Sequence, residues 1–158
     1  LKIVLNQVLQ DLIDAKAREG EKLKTIILER LADIEQHVAK VKPMMPALVK
    51  QYQKKLTLKL NEANTSNDDE RIRQEMVLFV QRIDVDEELV RLSSHIAEVK
   101  RILNATAAAG KRLDFLMQEM NREANTLGSK SVAIETSQIS MELKVLIEQM
   151  REQIQNIE

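Results

Sequence analysis

The chain has 158 residues, 44% of them apolar and 31% charged, with a formal net charge of −1; that is enough apolar mass for a core and too balanced for a generally cationic nucleic-acid binder. Only 2% of residues are aromatic and there are 3 Gly, 2 Pro and no Cys, which favours long helices over turn-rich sheets and excludes disulfides, thiolate metal sites and cysteine nucleophiles. No run approaches the roughly 18 consecutive apolar residues of a membrane span, so the expectation is an all-α chain that is not integral to a membrane.

In chain order, Leu1, Leu5, Val8, Leu12, Leu23, Ile27, Leu31, Ile34, Val38 and Val41 recur at helical spacing, interrupted only by Gly20. They predict one long helix over residues 1 to about 41, or two with a bend. The chain opens at Leu1 in what reads as mid-helix, so a fragment of something longer is expected. "KPMMP" is expected to end that helix, because Pro43 and Pro46 lack an amide donor and push the preceding residue out of helical space. A second helix from Pro46, carrying Leu48, Tyr52, Leu56 and Leu60, would then fold back as a hairpin. "NTSNDD" at 64–69 reads as a turn able to cap a further helix with Ile72, Met76, Phe79 and Ile83.

"DVDEELVRL" from Asp84 reads as another start, since first-turn acids complement the helix dipole; its stripe is Leu89, Leu92, Ile96, Val99 and Leu103. "NATAAAG" at 104–110 is expected to be a flexible connection. Leu113, Leu116, Met117, Met120, Ala124 and Leu127 form the next stripe, "GSKS" is expected to break the chain at Gly128, and Ile134, Ser137, Met141, Val145, Met150 and Ile154 mark a last helix. Five to seven helices result. Residues 1–83 are expected to form long helices and a basic helical hairpin, and 84–158 a compact C-terminal helical domain.

Three arrangements can carry chemistry. Between Gln36 and Asn61 stand Lys40, Lys42, Lys50, Lys54, Lys55 and Lys59 with no acid, so that segment carries +6 and the rest of the chain −7. With Tyr52 among them, these lysines can contact phosphates or can simply be a solvated face. On the helix from Asp84, the residues Asp84, Glu88, Arg91, His95 and Glu98 step by four, three, four and three, which aligns them beside the apolar stripe. Such a line can supply part of a divalent-cation site, with Asp114, Glu119 and Glu123 from the following helix, or can be ordinary helix pairing and dipole compensation. Finally, Asp114, Gln118, Asn121 and Asn125 line up with Arg122 at their edge. Asn is a poor helix former, so these amides look chosen for hydrogen bonding. There is no phosphate loop, no G-x-S-x-G, no H-E-x-x-H and no calcium loop, and His37 lies among lysines where a surface role is expected.

"EELVRLSSHI", "GKRLDFLMQEMNREANTLGSKS" and the terminal "REQIQNIE" together resemble the C-terminal region of the YicC/YloC-like family of bacterial endoribonucleases. The resemblance runs over essentially the whole chain and is densest from Glu87 onward. It implies a cytoplasmic, bacterial, metal-dependent endoribonuclease that cuts RNA, including small regulatory RNA, and assembles as a homohexamer; the family carries a further N-terminal domain. The family pattern falls on Glu87, Glu88, Arg91, His95, Arg112 and Asp114, and on Gln118, Glu119, Asn121, Arg122, Glu123, Asn125 and Lys130, but not on Glu98. The resulting expectation assigns catalysis to Glu119, Glu123 and His95, with Mn²⁺ or Mg²⁺ held by Glu88, His95, Glu119 and Glu123. RNA contacts are expected from Arg91, Arg112, Gln118, Asn121, Arg122, Asn125 and Lys130. The alternative is a non-catalytic helical module for oligomerisation or RNA binding.

Overall fold

The computed structural model describes residues 1–63, 69–105 and 109–156. They form α1 (Lys2–Glu62), α2 (Asp69–Ile83), α3 (Asp86–Asn104), α4 (Gly110–Ser129) and α5 (Ile134–Gln155). No strand occurs among the described residues, so the chain is all-α, as the composition and periodicity indicate. The turn expected at 64–69 lies outside the described residues through 68, and so do residues 106–108 of the expected flexible connection.

The expected stop at "KPMMP" does not occur. α1 is one helix of 61 residues with Pro43 and Pro46 inside it, on the order of 90 Å long at 1.5 Å per residue. The prolines remove the donors that would reach the carbonyls of Ala39 and Lys42. All four of these residues are exposed, so water can take up the freed carbonyls, while Val41, Met44, Met45 and Leu48 on the other side pack inward. Packing on one face thus offsets a local cost on the other. A hairpin does form, but its arms are α1 and α2. Tyr52 stacks on Phe79 with ring centroids 3.9 Å apart and planes 3° from parallel, and the six lysines share one unbroken helix.

The core joins the middle of α1 to α3, α4 and α5. Ile27, Leu31, Ile34 and Val41 of α1 belong to the same buried cluster as Leu92, Val99, Met117, Met120, Leu143 and Met150; fully burying a side chain of this size stabilises by about 1.5–3 kcal/mol. Polar ties pin α1 across this cluster, with Glu35 paired to Lys100 of α3 and a His37 ring nitrogen 3.2 Å from Glu142 of α5. His37 is therefore half-buried against a carboxylate, and not a surface residue among lysines. The α3 stripe is as expected, except that Ile102 is buried and Leu103 is only partly so.

One expectation about the last hairpin is corrected. The face of α5 that packs inward carries Thr136, Ile139, Ser140, Leu143, Ile147, Met150 and Ile154, whereas Ile134, Met141 and Val145 are exposed. This helix has two apolar lines, and periodicity alone does not say which one meets the core. The break expected at "GSKS" is present, one residue on from Gly128, since α4 ends at Ser129 and α5 begins at Ile134. A Cβ on Gly128 would lie 2.5 Å from the Ser140 Oγ, so the glycine lets α5 approach α4. Ser140 uses that approach to donate to the Ala124 carbonyl at 2.7 Å.

Candidate active site along helices α3 and α4

α3 starts without a side-chain cap on Val85, but Asp84 Oδ1 accepts the Asp86 amide at 3.0 Å, and Asp86, Glu87 and Glu88 fill the first turn beneath it. That start fixes the helical phase and sends Glu88 and Arg91, one turn apart, toward α4. α4 answers with Glu123, nearly two turns before its end, and with Lys130 just past it.

These four residues form a connected ion-pair network. Arg91 Nε donates to Glu123 Oε1 at 2.8 Å and its Nη1 reaches Glu87 at 3.3 Å, while Nη2 lies 3.6 Å from Glu88 Oε1. Lys130 Nζ donates to the same Glu88 oxygen at 2.9 Å and to the Asp84 carbonyl at 3.0 Å. Glu88 and Glu123 are buried, with 3% and 5% of their surfaces exposed. Carboxylates so placed need cationic partners, since an unpaired buried charge is costly. The Glu123 hydrogen bond in turn raises the Arg91 pKa above its ordinary value. Glu88 Oε2 is buried without a hydrogen-bond partner among the described residues.

One turn along, the register of the antiparallel pair is set by two contacts, Arg91 with Glu123 and Arg112 with Glu98 at 2.9 Å. Stepping four residues from the first of these gives His95 and Glu119 corresponding register positions on the two helices, both half-buried, but no hydrogen bond or ion pair joins them. Glu119 has one loose neighbour, Arg122 at 3.7 Å. Glu98 is fully engaged by Arg101 at 2.7 and 2.9 Å and by Arg112; these hydrogen bonds, Arg101 first, hold its carboxyl down at about 2 from 4.5. Glu98 is thus an ion-pair anchor.

The amide line of α4 divides in two. Gln118 donates to Asp114 at 3.0 Å, and Asp114 also accepts from Arg151 of α5 at 3.1 Å, so these three form a structural bracket. Asn121 and Asn125 are exposed, and neither makes a side-chain hydrogen bond among the described residues. They present unspent donors next to exposed Arg122, whose guanidinium lies 3.7 Å from Glu119.

Among the described residues no three His, Asp or Glu side chains converge to hold an ion. Of the expected ligands, Glu88 and Glu123 each have one oxygen engaged, by Lys130 and Arg91, and Glu88 Oε2 has no partner. His95 and Glu119 stand one turn along on the same two helices. Sequence reasoning missed the burial of Glu88 and Glu123; the signal within reach was Arg91 one turn after Glu88, whereas its bond to Glu123 depends on how two helices dock.

Residues 41–158 match the family model described as Endoribonuclease YicC-like, C-terminal. This chain belongs to the YicC-like endoribonuclease family. It is 48% identical over 158 residues to a protein of Haemophilus influenzae named probable endoribonuclease YicC, covering 100% of this chain and 55% of that relative. A Clostridioides difficile protein of the same name is 35% identical over 162 residues, covering 98% of this chain and again 55% of the relative. The chain thus spans about half the length of the curated relatives it matches. The YicC-like match begins at Val41, so it takes in the six-lysine segment apart from Lys40, all of α2–α5 and the whole ion-pair network. No described helix is long and apolar enough to cross a membrane.

Proposed function

We propose that this YicC-like chain is part of a metal-assisted endoribonuclease and that the α3–α4 face is where it meets RNA, including small regulatory RNA. The observation that carries the reading is the exposed Asn121 and Asn125, without side-chain partners, next to exposed Arg122, in a chain whose relatives are named probable endoribonucleases. Asn amides can donate to phosphate, 2′-hydroxyl or base edges, and Arg122 neutralises phosphate. In this reading His95 takes a proton from the attacking hydroxyl, and Glu119 supplies a carboxylate on the neighbouring helix. Glu88 and Glu123 act through Lys130 and Arg91, holding those cations at the rim, where the guanidinium, 47% exposed at its side chain, can face a phosphate. Arg112, anchored on Glu98, lies toward the other end of the α3–α4 pair.

Dependence on Mn²⁺ or Mg²⁺ is proposed through His95 and Glu119 alone, with water and RNA oxygens as the remaining ligands. Such an ion, when bound, stabilises charge at phosphorus. A homo-oligomer, hexameric as the family resemblance implies, and a bacterial cytoplasmic setting belong to the same proposal. The competing reading is a non-catalytic helical module, and the ion pairing of Arg91, Glu123, Glu88 and Lys130 with one another favours it for those four residues.

The test is cleavage of an end-labelled structured RNA by the protein with Mn²⁺ or with EDTA, comparing Asn121→Ala, Asn125→Ala and His95→Ala. Loss of cleavage with unchanged melting and unchanged assembly is the expected result. Variants that cut like the parent, or that lose their assembly, would assign these residues to scaffold.

A further inference from the structure

The lysines on the second half of α1 take no part in the network just described. Lys40, Lys42, Lys50, Lys54, Lys55 and Lys59 are all exposed, and none makes an ion pair or side-chain hydrogen bond among the described residues. Along α3 and at the two ends of α4, by contrast, Arg91, Lys100, Arg101, Arg112 and Lys130 each hold a carboxylate. From Gln36 to Asn61 the helix has no acid of its own. Because α1 passes through its prolines unbroken, these charges share one rod, with roughly 28 Å of rise from Lys40 to Lys59. At 100° per residue, Lys40, Lys50, Lys54 and Lys55 fall within an arc of about 140°, beside the face that Val41 and Leu48 turn to the bundle.

A row of unpaired like charges on a rigid helix repels itself and needs a polyanion to complement it. We infer that this lysine row is a second RNA surface, which binds the phosphate backbone along α1 and does not read bases. The aromatic ring that could have stacked a base, Tyr52, is stacked on Phe79, so the row offers phosphate contacts and no base platform. The inference rests on the reading of the chain as part of an RNA-cleaving protein, and deepens it: RNA is held along α1 and processed at α3–α4.

The experiment is fluorescence anisotropy of the protein with labelled single-stranded RNA of two base compositions across a KCl series. It compares the parent, the triple variant Lys50→Gln, Lys54→Gln, Lys55→Gln, and the same three positions changed to Arg. The glutamine variant is expected to bind both RNAs about 10-fold more weakly at 0.1 M salt and to flatten the slope of log affinity against log salt by about 2, at ~0.7 per lost single-strand phosphate contact. The arginine variant keeps parental affinity. Parental affinity and slope in the glutamine variant would overturn the inference. So would an effect confined to vesicles containing anionic lipid, which would make the row a membrane contact. If the row binds RNA as expected but the protein cleaves none under any metal condition, the cleavage reading fails while the surface stands.

Discussion

Glu88 and Glu98 lie on one helix line and meet opposite environments. Glu98 is a partly exposed carboxylate held by Arg101 and Arg112, with its pKa lowered to about 2. A carboxylate with a depressed folded pKa contributes stability above its unfolded pKa and loses that contribution as pH falls through the folded one. The window is therefore from about 4.5 down to about 2. A carbon-detected NMR titration of the Glu98 side chain is expected to place its midpoint near the lower end, and Arg112→Ala to move it upward. Glu88 is buried with Lys130 as its closest cation. Lys130→Met is expected to lower unfolding free energy by on the order of 2 kcal/mol, because Arg91 covers the orphaned charge only in part; an unchanged urea midpoint would contradict this. The spacing of the acids was legible in the sequence, but their partners across the helix pair were not. A carboxylate pattern that reads as metal ligands is equally what two docked helices need to bury arginine and lysine heads.

At the scale of elements, the helices themselves were legible, and the errors fell on punctuation. Proline is a stop signal only where nothing compensates, and here Pro43 and Pro46 face solvent while the opposite side of the same turns is packed. Gly128 stands one residue before the end of α4, and beyond marking that end it lets Ser140 close to α4. Gly128→Ala is expected to cost about 1–3 kcal/mol through overpacking. Adding Ser140→Gly should restore most of that loss, and thermal melts of the single and double variants check it. If the two changes are simply additive, the close approach is not what the glycine serves. On α5, either of two apolar lines could have met the core, and the choice was made by the neighbours.

At the scale of the molecule, two apolar surfaces have no cover among the described residues. Leu1, Val4, Leu5, Val8 and Leu12 are exposed along the first part of α1, and Ile134, Met141 and Val145 form an exposed line on α5. Contiguous apolar surface of this kind marks association in soluble proteins, which agrees with the proposed homo-oligomer. Light scattering behind size exclusion is expected to show a multimer for the parent and a smaller particle for Met141→Glu, Val145→Glu. A parent that stays monomeric at every concentration would remove the expectation.

The sequence by itself determined that the chain is helical throughout, where most helices lie, which faces of α3 and α4 are apolar, and which family it resembles; these follow from local propensity, from a 3.6-residue period and from motif identity, all carried by neighbouring residues. Only the tertiary structure decided that α1 runs through its prolines, which line of α5 is buried, that Glu88 and Glu123 are locked by Lys130 and Arg91, and that Asn121, Asn125 and the lysine row are left unspent. Those outcomes depend on which surfaces meet. The free energy that settles them is burial and charge pairing between residues distant in sequence, which no local pattern encodes.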